Sequence, residues 1–178
     1  MSVHTYWIVD IDATAEEAPA LADKVRQWLV ELEIILPGPP LADQAYLPLY
    51  RYGPAAARWA HENALGHDLL CAGLQIVTER TVFHAGEGDV GPFVCPHCGA
   101  THDDLPWSPP TEAWYEGEGD NRLTCPACGT ASSIAEWRSG WAYGHLGFGF
   151  VEGRMLDRLG DELAALTGHR LRIVHEHL

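Results

Sequence analysis

The spacing of apolar residues changes several times along the chain, and each change marks an element. Residues 5–11, TYWIVDI, form a short apolar run of β-branched and aromatic residues, which predicts a mostly buried strand. The next segment, TAEE, places Thr14 and Glu17 at capping-box spacing, so each side chain can satisfy the other's backbone N–H. Beyond it Ala18, Leu21, Ala22, Val25, Leu29 and Leu32 recur at helical spacing, predicting a helix of about five turns closed by the prolines of ILPGPP.

Residues 37–60 show no clean period. GPAAARWAHENAL can form a helix with Pro54 near its first turn, and Tyr46, Tyr50, Tyr52 and Trp59 are expected to pack this long connection onto the core. GLQIVTERTVFHAG (73–86) reads as one strand, or as two meeting near Glu79 and Arg80. In WAYGHLGFGFVEG (141–153) aromatic residues alternate with small ones, predicting a strand whose glycines let another backbone come close. RMLDRLGDELAALTG reads as an amphipathic helix capped by Gly168, and HRLRIVHEHL as a final strand.

With residues 87–140 set aside, the order is β-α-(loop)-β followed by β-α-β. That pattern predicts an α+β fold, a ferredoxin-like antiparallel sheet with helices on one face. The expected organisation is a core of residues 1–91 plus 138–178 with an inserted unit at 92–137. Beyond this half-to-half similarity no tandem repeat or low-complexity run stands out.

The insertion carries the clearest chemistry. Cys95, Cys98, Cys125 and Cys128 form two CPxCG motifs, with 26 residues between Cys98 and Cys125. VCPHCGATHD alone has two readings, since Cys-Pro-His-Cys also occurs as a disulfide-oxidase active site. A redox cysteine needs a helix N-terminus to lower its pKa, whereas Cys98 is followed by GATHDDLPWSPP, hostile to a helix and rich in acid. An oxidase also has no use for a second matching pair. Repeated Pro and Gly suit two tight knuckles whose thiolates enclose one zinc ion, so the insertion is expected to be a structural zinc ribbon. His97 and His102 flank the site as expected exposed knuckle residues. The fifth cysteine, Cys71, is expected to be a buried small hydrophobe.

Composition narrows the partners. The 178 residues hold 25 acidic and 11 basic side chains, a formal charge of −14, with Lys24 the sole lysine. Residues 86–136 carry nine carboxylates against Arg122 alone, a formal −8, more than half of the total. Such a surface repels nucleic acid and suits a basic protein. WSPPTEAWYEGEGD (107–120) is the expected contact loop, with Trp107, Trp114, Tyr115, Glu116, Glu118 and Asp120 as contacts, although at least two of the aromatic residues Trp107, Trp114, Tyr115 and Trp137 are expected to cover the knuckles. No run is long and apolar enough for a membrane span, and the start lacks the features of a secretory signal, so a cytoplasmic location is expected.

Nucleotide loops, a Gly-x-Ser-x-Gly elbow and a His-Glu-x-x-His pair are absent from the sequence. Asp10 and Asp12 sit where a strand end meets a helix, a common structural placement. With its two knuckles, the YWIVD start, ERTVFHAG and GHLGFGF, the chain resembles a group of small bacterial proteins that share this layout and are sometimes labelled sugar-transport ATPases. The missing phosphate loop argues against that label, and the resemblance implies no activity or site. The leading expectation is a non-catalytic, zinc-stiffened module that binds a basic protein, as immunity proteins bind toxins. Two others stand beside it: an enzyme using His61, His67, His84 or His145 in a cleft between the sheet and the 37–70 connection, and a regulatory subunit of transcription machinery.

Overall fold

The computed structural model describes residues 3–41, 48–65, 72–86 and 90–177, so Tyr46, His67 and Cys71 lie outside the described residues. The chain forms strand β1 (His4–Asp10), helix α1 (Ala18–Glu31), the single turn α2 (Ala56–Trp59), β2 (Ala60–Leu65), β3 (Gly73–Val77) and β4 (Thr81–Phe83). Then come β5 (Phe93–Val94), β6 (Thr101–His102), helix α3 (Ser108–Glu116), β7 (Arg122–Thr124) and β8 (Ala131–Ser133). The last elements are β9 (Ala142–Gly144), β10 (Leu146–Val151), β11 (Gly153–Met155), helix α4 (Asp157–Thr167) and β12 (Leu171–His177). The fold is mixed α and β, and its named strand pairings are antiparallel.

The main sheet has the order β12-β1-β10-β3. Alternation along its strands decides what each face packs against. Tyr6, Ile8, Phe148, Phe150 and Leu74 join Ala22, Val25 and Leu29 of α1 and Leu159 and Leu163 of α4 in one core. Trp7, Val9 and Val174 on the opposite face pack with Phe83 of β4 and Ala142 of β9. Gly147 and Gly149 make room there. A Cβ at Gly147 would lie 2.4 Å from the Phe83 ring, and one at Gly149 2.7 Å from that of Trp7. The expected close backbone is found at Gly144, where a Cβ would lie 2.8 Å from the Asp10 carbonyl, while at Gly147 and Gly149 aromatic rings occupy the space instead.

Helix α1 starts where the sequence reading put it but, at 14 residues, runs about four turns rather than five and ends at Glu31, short of the prolines. Thr14 N–H donates to the Glu17 carboxylate at 3.1 Å and Glu17 N–H to the Thr14 hydroxyl at 3.2 Å, and Glu33 closes the helix in the left-handed region at φ 56°. Gly168 caps α4 at φ 77°, as expected. Two local expectations are corrected, and one open alternative is decided. GPAAARWAHENAL gives one helical turn and then β2, because pairing with β11 overrides its alanine-rich propensity. Residues 73–86 form the two-strand alternative. Residues 141–155 break into three strands, at His145 and at Glu152, which has φ 52°. Tyr50, Tyr52 and Trp59 pack against the main core. Among the described residues no helix is long and apolar enough to cross a membrane.

Candidate metal centre

Two short hairpins, β5–β6 and β7–β8, each present one Cys-Pro-x-Cys-Gly turn, and the turns are built alike. Cys95 N–H donates to the Ala100 carbonyl at 2.9 Å and Gly99 N–H to the Cys95 carbonyl at 3.0 Å. In the other turn Cys125 N–H reaches the Thr130 carbonyl at 3.0 Å and Gly129 N–H the Cys125 carbonyl at 2.8 Å. Gly99 and Gly129 both adopt φ 73°, a region that a side chain rarely tolerates. The likeness extends past the motif. Cys95 and Cys125, Cys98 and Cys128, and Trp107 and Trp137 are each 30 positions apart. The pairing also matches, since Phe93 faces His102 where Leu123 faces Ser132.

The halves meet so that all four sulfurs lie within 4.8 Å of one another. Cys95 Sγ is 3.9 Å from Cys128 Sγ, and Cys98 Sγ is 3.7 Å from Cys125 Sγ. A tetrahedral ion with bonds of about 2.3 Å would hold its sulfurs about 3.8 Å apart, whereas a disulfide needs about 2.05 Å. The four are free cysteines, and their cross-paired spacing fits one shared ion. Four thiolates would complete its shell and leave no position for substrate.

The surroundings pull the Cys95, Cys98 and Cys128 thiols apart in acidity. The Thr130 hydroxyl and N–H bring Cys128 down to about 6. The Ala100 N–H pulls Cys98 the same way, but desolvation and the other sulfurs outweigh it and push it up to about 11. Desolvation opposes ionisation of Cys95, yet the N–H groups of Cys98 and His97 prevail and lower it. A bound cation takes all four as thiolates. His102 is half-buried rather than freely exposed: its Nε2 lies 3.4 Å from Cys125 Sγ, where an imidazole N–H can support a thiolate. His97 is exposed, and its backbone N–H meets Cys95 Sγ at 3.4 Å. Ser132, which takes the place of His102 in the second half, has a buried hydroxyl with no hydrogen-bond partner among the described residues.

The sulfurs rest on a miniature core of Phe93, Leu105, Trp114, Leu123, Ile134, Trp137 and Tyr143. Of the expected contact residues, Trp114 is buried in this core and Trp107 packs against it, so neither is a free anchor. Tyr115 is 60% exposed, and Glu112, Glu116, Glu118 and Asp120 lie toward solvent with it, Asp120 paired to Arg122 at 2.8 Å. The expected loop at 107–120 is in large part helix α3. Pro109 and Pro110 fall in its first turn, where no intrahelical N–H is lost. Arg80 fastens this helix to β4, donating to the Trp114 carbonyl at 2.6 Å with its guanidinium 4.9 Å from the ring centroid.

Of the histidines considered for acid–base work, the three among the described residues, His61, His84 and His145, do not converge. His84 and His145 follow opposite ends of the β4–β9 ladder, His84 against Trp141 and His145 near Trp114 and Arg80, while exposed His61 belongs to β2. Comparison with known protein families, with curated proteins and with solved structures gave no match.

Proposed function

We propose that the protein is a non-catalytic interaction module: a ferredoxin-like core carrying an inserted four-cysteine zinc ribbon whose acidic face binds a basic protein. The strand order supports the first part, because taking only the sheet's strands in chain order gives fourth-first-third-second with a helix in each half. Zinc suits a closed thiolate tetrahedron, which binds tightly and performs no redox chemistry. The observation that carries the functional reading is the contrast within one unit. Its cysteine cluster is sealed by four sulfurs, while Tyr115 stands exposed among Glu112, Glu116 and Glu118 on a helix fixed to the metal-bearing core. A rigid aromatic ringed by carboxylates suits a basic protein surface far better than a phosphate backbone.

A toxin enzyme neutralised by an immunity-type protein is the partner class this surface fits. Elemental analysis should find one zinc per chain; a coloured iron centre would overturn the metal assignment. A basic toxin encoded beside the gene should bind with an affinity that falls with salt and with Tyr115→Ala combined with Glu116→Gln and Glu118→Gln. Full binding by that triple variant, or normal survival of a deletion strain facing toxin-bearing siblings, would overturn the functional reading.

A further inference from the structure

At the other end of the molecule, the free ends of β1 and β12 bring histidines together. The register pairs His4 with His177 and Tyr6 with His175, so the period of two sets all four on one sheet face. His4 Nδ1 and His177 Nδ1 approach to 2.6 Å, with the rings edge to face. Two imidazole nitrogens this close share one proton, whereas as ligands of a common ion they would stand about 3.3 Å apart, a small ring movement away. His175 stands one same-face position along β12, its ring now 4.9 Å from that of Tyr6.

Two independent features point to a ligand. Tyr6 is 4% exposed, and its hydroxyl is buried without a hydrogen-bond partner among the described residues, although the residue lines a cleft of about 600 Å³ shared with the three histidines. Glu152 lines the same cleft and holds the unfavourable φ of 52° while its carboxylate accepts the His4 N–H at 2.9 Å. Strain of that kind persists where the surroundings fix it, and here it sets a carboxylate beside the imidazole pair. Glu152 and Glu176 line the cleft against Arg154, within a chain of net charge −14, so carboxylates outnumber the fixed cation there.

We propose that His4 and His177, joined by His175 after a side-chain rotation, form a second metal site that takes a divalent transition-metal ion. Imidazoles suit zinc, copper, nickel and cobalt. Three such ligands leave a coordination position open to the cleft that Tyr6 also lines. This site is chemically unlike the sealed thiolate centre and does not depend on the reading of that centre.

The test uses untagged full-length protein with its cysteine site already loaded, dialysed against Co2+ and then analysed for bound metal. A second equivalent is expected per chain. His4→Gln or His177→Gln should weaken it at least about tenfold, while the thiolate-to-cobalt absorption of protein loaded with cobalt at the cysteines stays unchanged. His61→Gln should have no effect. A single bound equivalent, or a second one that responds equally to His61→Gln, would overturn the proposal. Should a variant fold poorly, 15N imidazole spectra of the wild type answer the question with Zn2+. Shifts at His4 and His177 support the site, and shifts confined to other histidines refute it.

Discussion

The guanidinium of Arg172, on β12, donates to the backbone carbonyl of Trp137 at 2.6 Å and to that of Glu136 at 3.2 Å. One arginine of the main sheet thereby closes the last turn of the second metal-binding half, and the wholly buried Trp137 carries the contact into the miniature core. Arg80 makes the matching tie from β4 to α3. The four-cysteine unit is thus tied by an arginine fork to the main sheet and by a single charged hydrogen bond to the β4–β9 ladder, and not by chain alone.

Arg172→Leu should test that tie. It would leave two carbonyls without their charged donor, and hydrogen bonds to charged groups contribute about 1.5–3 kcal/mol each. Urea denaturation should show a loss of that order, and Arg172→Lys a smaller one because a single ammonium cannot reproduce the fork. An unchanged midpoint in Arg172→Leu would mean that the contact contributes nothing to stability.

Chelation should release a single ion from the four sulfurs and loosen the unit that they bind. A structural thiolate site supplies on the order of 10 kcal/mol, and the miniature core it rests on is small. Amide exchange at Cys95, Gly99, Cys125 and Gly129 should therefore rise sharply, while β1 and β10, whose core contains no sulfur ligand, keep their protection. Cys125→Ser should reproduce the effect. Acid should do so too, since protons compete with the ion for thiolates. Equal loosening of β1 would show that the two units unfold together.

The parts of this structure that are legible in the sequence are those whose cause is local. Thr14 and Glu17 announce a capping box by spacing alone, Gly168 announces a helix end, and two CPxCG motifs announce four sulfurs that come together. What escapes depends on partners distant in the chain. Ala60–Leu65 has the composition of a helix and becomes a strand because Gly153–Met155 lies beside it. The 30-residue repeat that relates the two cysteine turns is easily passed over because few residues around the motifs are identical, and matching backbone hydrogen bonds at Cys95 and Gly99 and at Cys125 and Gly129 make it plain. Pro109 and Pro110 read as breakers, yet in a first turn they lose nothing. The histidine pair at 4 and 177 is separated by nearly the whole chain, and only the strand register joins it.

Gly147→Ala should be costly although it adds one methyl group. The new Cβ would meet the Phe83 ring at 2.4 Å, and Phe83 is itself 2% exposed between Trp7 and the β4–β9 pair. Overpacking of that kind costs about 1–3 kcal/mol. Phe83→Leu in the same background should recover part of the loss by removing the ring. Additive destabilisation by the two changes in thermal melts would argue against the steric cause.

His145 sits in the one-residue break between β9 and β10, its ring 6.1 Å from that of Trp114. Burial, and secondarily the Arg80 guanidinium, hold its pKa below the ordinary imidazole value of 6.5. A lowered value means that the folded state prefers the neutral ring. Its contribution to stability is therefore fully present above 6.5 and is lost as pH falls through the lower, folded-state midpoint. His145→Gln should flatten the fall in stability of the wild type over this range, and comparing the two proteins cancels any acid loss of metal common to both. The ring's own NMR titration is the direct check, with a midpoint expected below 6.5. A midpoint at or above that value would show that water reaches the ring and that Arg80 is too well screened to act on it.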